Sequence, residues 1–185
     1  MLAKMDATVR LTLRYLVIVL FAALCVLLLA NVFVRLMGGL TQFLHESELD
    51  AMADALRAVL PITSFHWLDE IVELCFSAMI FYGAAALWAE KGHFSVGDWI
   101  SWRLPGNVPR AFYKTSIALI NLAFLVVLFA FALRLTLRAT ELSTVFQIPK
   151  KVMYSSMAVS SLIMTAYALA ELVVCVGRLR KKPAE

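Results

Sequence analysis

Apolar residues gather in four blocks, near 15–36, 71–89, 116–136 and 152–176, parted by stretches that carry most of the charge, glycine and proline. Each block approaches or exceeds the ~20 residues that a helix needs to cross about 30 Å of hydrocarbon at ~1.5 Å per residue. Strand-like alternation is absent from them, and only a helix satisfies such a block's backbone internally, so the pattern predicts transmembrane helices and disfavours a β-barrel. A different periodicity occupies the long connection between the first two blocks. Leu49, Met52, Ala53, Leu56, Val59 and Leu60 recur at helical spacing, the stripe of an amphipathic helix. Ser47 with Asp50 gives a start signal and Pro61 a stop, which predicts a surface helix over 47–60.

Composition agrees with this reading: 62% of the 185 residues are apolar, against roughly half in soluble domains. The expectation is one all-α membrane domain over 1–185, with four transmembrane helices and the amphipathic helix between spans one and two. Cys25, Cys75 and Cys175 lie singly in three different spans and read as small buried hydrophobes. The net charge of +4 does not point to nucleic acid, because the basic residues sit at the membrane edges. Lys4, Arg10 and Arg14 precede span one, and a basic tail from Arg178 to Lys182 follows span four. With Lys91, Arg103, Arg110 and Lys114 they outnumber the basic residues of the opposite side, which places both termini inside. Block one is too long for a signal-peptide core and lacks a small-residue cleavage site, so it reads as a retained signal anchor. The basic tail also attracts anionic lipid.

Polar residues inside or beside the spans are the candidates for special roles. Trp67, Asp69, Glu70 and Glu73 open span two. Carboxylates there suit the helix dipole, while Glu73 lies deeper and calls for a partner. A structural ion pair of Arg35 with Glu73 or Glu70 is expected, with Arg134 and Arg138 at compatible depth. Arg138 and Glu141 have the i, i+3 spacing of a pair. Glu171 near the inner end of span four is read as a structural pair or as something beyond it. Gly83, Ala84, Ala85 and Ala86, and likewise Ser156 with Ser160, form small-residue surfaces for close helix packing, either within the chain or against a partner. Trp67, Trp88, Trp99 and Trp102 suit the membrane interface. The surface helix is acidic on its polar face (Glu48, Asp50, Asp54, against Arg57), and it either covers the bundle or docks a partner.

Enzymatic chemistry has no evident seat. A serine–histidine–acid set, paired catalytic carboxylates or a histidine–cysteine metal cluster does not assemble on one side of the membrane, and no histidine lies within a span. His93 in the Gly92–Asp98 loop is separated by the membrane from His45 and His66, and no phosphate-binding glycine loop is present. The chain reads as a scaffold that works with something else. The alternative is an independent four-span transporter or channel.

A family resemblance adds to this. Trp67-x-Asp69-Glu70, Gly83-Ala84-Ala85, Gly92-His93-Phe94-Ser95-Val96-Gly97-Asp98, Leu104-Pro105, Ser143, Ile148-Pro149 and Tyr154 follow one another around four spans. In that order they resemble the small membrane subunit of the tripartite ATP-independent periplasmic (TRAP) transporters over nearly the whole chain. The chain departs from the family pattern at Gly97, which intervenes before Asp98, and at Ser155-Ser156-Met157, where a proline is usual. The resemblance implies a large multi-span membrane subunit that moves an organic acid by an elevator-type mechanism with sodium bound in that partner. It implies a periplasmic substrate-binding protein that delivers the acid, and a bacterial inner-membrane location. The small subunit would be a static brace with no cofactor of its own. Docking of the binding protein on Glu48, Asp50, Asp54 or Arg57 is a further expectation.

Overall fold

The computed structural model describes residues 2–47, 49–59, 66–90, 103 and 106–180. Among them the chain is all-helical: α1 (Leu2–Glu46), α2 (Asp50–Val59), α3 (His66–Ala89), α4 (Asn107–Arg138) and α5 (Lys151–Arg180). α1, α3, α4 and α5 are long and apolar enough to cross a membrane. They pack as neighbours in the order α1, α3, α5, α4, with the most extensive contact between α4 and α5. α3 and α5 are therefore central, and α1 and α4 form the flanks.

Small residues permit this packing. Water is absent from a bilayer core, so helices associate there through close van der Waals fit and not through apolar burial from water. Ala85 and Ala89 of α3 are buried one turn apart, as are Met164 and Ala168 of α5. Leu13, Ala85, Leu125, Met164 and Ala168 form the buried centre, to which every long helix contributes. On α4 the buried positions Ala118, Leu125 and Ala132 recur at every seventh residue, the interval that keeps one stripe of a helix on a shallowly crossing neighbour.

The helix ends show where local chemistry acts. Gly106 precedes α4 with φ 93°, a backbone conformation that residues bearing a Cβ rarely adopt. α4 stops at Ala139, whose amide returns to Leu135 O at 3.0 Å. Beyond it residues 141–150 form a small hairpin. Leu142 and Pro149 bridge antiparallel, Ser143 N donates to Ile148 O (2.9 Å) and Lys150 N donates to Glu141 O (3.0 Å). Gln147 turns the chain with φ 51°.

α1 is longer than the apolar block predicts. It continues through Gly38 and Gly39 to Glu46 and totals 45 residues, about 68 Å. From Arg35, level with the first turn of α3, to Glu46 is roughly another 16 Å. α2 folds back against this extension, burying Ala53. The start signal also works otherwise than expected. α2 begins at Asp50, and the Ser47 hydroxyl donates back to Phe43 O at 2.8 Å, finishing α1 and leaving α2 uncapped by it. His45 Nδ1 and Asp50 close the corner between the two helices.

Candidate functional site

The end of the bundle expected to face outward collects the polar groups that the sequence singles out. α1 and α3 run antiparallel, which brings Asn31 and Arg35 beside the first turn of α3. Asn31 Nδ2 donates to Asp69 Oδ1 (3.2 Å) and Arg35 Nε donates to Asn31 Oδ1 (3.2 Å). Arg35 Nη2 lies 3.9 Å from Asp69 Oδ1. The partner of Arg35 is thus Asp69 and neither Glu70 nor Glu73, because Asp69 is the acid that the helical turn points at α1. Both partners are largely exposed, and a pair of this kind contributes little by itself.

Glu70, one residue further round the helix, faces the 141–150 hairpin. Its Oε1 accepts from Thr144 Oγ1 (2.7 Å) and Val145 N (2.6 Å). Its Oε2 accepts from Ser143 Oγ (2.6 Å) and Phe146 N (3.2 Å). Two hydroxyls and two backbone amides therefore clasp one carboxylate, where the expectation was an arginine. A tight turn presents successive N–H groups on its concave side, and that concavity fits an anion. Trp67 adds an edge-on contact to Phe146, with centroids 6.3 Å apart and planes at 68°, so it is a partner of the hairpin. Ser143, Ile148 and Pro149, which carried part of the family resemblance, are residues that bind Glu70 or close this hairpin.

Glu141 pairs with Lys150 at 3.2 Å, which leaves Arg138 without the partner expected at i, i+3. The hydrogen bond to Glu141 holds the Lys150 ammonium above the usual lysine range, and Glu73 contributes to the same field. Arg134 and Arg138 are exposed on α4 beside an open groove, and neither forms an ion pair among the described residues. Glu171 is likewise exposed and enters no ion pair among them.

The packing candidates divide. Ala85 is fully buried at the centre, and Ala84 and Ala86 pack against the same cluster. Gly83 does not share that role, since a Cβ built there would meet nothing within 4 Å. Ser156 and Ser160 are buried, and Ser161, which the sequence pattern does not single out, is buried beside them. Their hydroxyls donate to Met153 O, Met157 O and Ala158 O of their own helix, so each is satisfied locally and contributes small volume to the interface. Trp88 packs at the margin of the core cluster. On the surface helix Asp50 and Asp54 are exposed. Trp99, Trp102, Glu48, the Gly92–Asp98 loop and the side chain of Arg57 lie outside the described residues.

A second polar tie, at the opposite end, was not anticipated. Asp6 accepts from Arg10 through both carboxylate oxygens, and Tyr167 of α5 donates to Asp6 Oδ1 at 2.7 Å. Asp6 with Arg10 at i, i+4 was a legible signal of a helical pair, but nothing in sequence pointed to Tyr167. No group of histidine, cysteine and carboxylate side chains that could hold a metal occurs among the described residues. In chemical terms the two ends act alike, since each fastens helices to one another.

Against models of known families, residues 51–178 match the Tripartite ATP-independent periplasmic transporters, DctQ component. The match runs from α2 to the last turn of α5 and leaves α1 outside it. No curated protein and no solved structure matches the chain.

Proposed function

This chain belongs to the DctQ component family of the tripartite ATP-independent periplasmic transporters, and from that premise we propose that it is the scaffold subunit of a binding-protein-dependent importer. It braces a large multi-span membrane subunit in the bacterial inner membrane and does not itself carry the substrate site. The imported compound is an organic acid, and transport is driven by sodium bound in the large subunit. The chain performs no enzymatic step and holds no cofactor. The observation that supports the brace reading is the clasp on Glu70, whose two oxygens are both taken up by donors of the hairpin. A carboxylate engaged in this way holds α3 to the α4–α5 connection, which is the work of a fastening. The exposed acids of α2, Asp50 and Asp54, seat the periplasmic binding protein.

Reconstitution tests the proposal. The chain alone in proteoliposomes is expected to move no organic acid under a sodium gradient, and the chain co-purified with its large subunit is expected to do so when binding protein is added. Uptake by the chain alone would replace the brace with an independent transporter.

A further inference from the structure

The open face of α4 carries a feature that the scaffold role does not use. We propose that it seats an anionic phospholipid, with Arg134 and Arg138 taking the phosphate and the apolar floor beneath them taking an acyl chain. The groove has a volume of about 420 Å³ and is floored by Val126, Phe129, Leu133 and Leu137 among others, with the two arginines at one end. Its residues follow one stripe of the helix. From Val126 to Arg138 the stripe is about 18 Å long, close to the ~15 Å depth of one hydrocarbon leaflet. The groove thus runs from mid-bilayer to the headgroups, in the leaflet at the C-terminal end of α4, which is the outer one when both termini are inside.

Three further observations favour this occupant. α4 is a flank of the helix row, and its buried stripe of Ala118, Leu125 and Ala132 is turned to α5, so no described helix covers the groove. Neither arginine meets a carboxylate among the described residues, since Glu141 is held by Lys150. A guanidinium at the end of a membrane-spanning helix calls for a polar partner, and two at i, i+4 present planar forks that suit phosphate oxygens. The inference does not depend on the brace reading.

The test uses the full chain, reconstituted with phosphatidylglycerol or with diacylglycerol of the same acyl chains, and native mass spectrometry to read the retained lipid. Phosphatidylglycerol is expected to stay bound and diacylglycerol to be lost. Arg134→Gln or Arg138→Gln lowers the retained fraction roughly fivefold, and the double variant about 25-fold, while Arg35→Gln leaves it unchanged. Equal retention of the two lipids, or unchanged retention in the double variant, overturns the proposal. A Leu133→Cys variant supplies a second arm. High-yield cross-linking to a co-expressed large subunit, with the lipid gone, would assign the groove to protein and overturn it as well.

Discussion

Positions 83 and 85 of α3 lie two residues apart and should respond oppositely to added volume. Ala85 is fully buried in the cluster of Leu13, Leu125, Met164 and Ala168, so Ala85→Leu forces three heavy atoms into space already filled by residues from the other three long helices. Overpacking of that kind costs about 1–3 kcal/mol. Gly83 has room for a Cβ, with nothing within 4 Å, and Gly83→Ala removes a helix-weakening residue at a gain of roughly 0.5–1 kcal/mol. The separation between the two variants is then about 1.5–4 kcal/mol, well above the scatter of a detergent-unfolding titration. The assay follows helicity of the purified chain in mixed micelles as the denaturing detergent fraction rises. Equal midpoints for the two variants, or an Ala85→Leu protein as stable as the parent, would refute the packing described above. The same pair separates packing within the chain from packing between subunits. A Gly83→Ala protein that is stable alone yet fails to co-purify with the large subunit locates the close approach at Gly83 on the partner's side.

Glu70→Gln replaces one acceptor oxygen with an NH2 group that must face the Val145 or Phe146 amide, a donor that cannot turn away. The thermal midpoint of the isolated chain should fall, and an unaltered midpoint would remove the clasp as a source of rigidity. Asp6→Asn and Tyr167→Phe share one hydrogen bond, so their effects on unfolding should be less than additive in a double-mutant cycle; strict additivity would show the contact to be idle. Reversing Asp50 and Asp54 to lysine should lower uptake when binding protein is limiting and leave co-purification of the membrane subunits intact, whereas unchanged uptake kinetics would reduce α2 to a cover.

The helices were legible in the sequence because hydrocarbon thickness sets a length that an apolar block must meet. Their ends were less so. Hydropathy reports where lipid stops and not where hydrogen bonding stops, and α1 runs past Arg35 through two glycines whose helix cost its packing with α2 offsets. The acids at the start of α3 read in sequence as groups that need partners, but Arg35 meets Asp69 and Glu70 meets the hairpin. Cations are visible in a sequence, whereas Glu70 is held by hydroxyls and by backbone amides, and nearly every residue possesses such an amide. Asp69 and Glu70 are adjacent in sequence yet point about 100° apart, and only the placement of α1 and of the hairpin decides which acid each meets. Ser156 and Ser160 are readable because small residues at helical spacing have one principal use in lipid, while Gly83, in the same pattern, has no close neighbour among the described residues of this chain.

The glycine pair in α1 gives the extension beyond Arg35 a mechanical character. Below it the helix is tethered to α3 through Asn31 and Arg35, and above it the helix carries α2. Bending of an α-helix is cheapest where side chains are missing, so Gly38 and Gly39 place the compliant point of a lever at the foot of its free arm. Any load applied to α2 would be felt as a torque at that spot, and the row of spans beneath it could stay still while the tip swings.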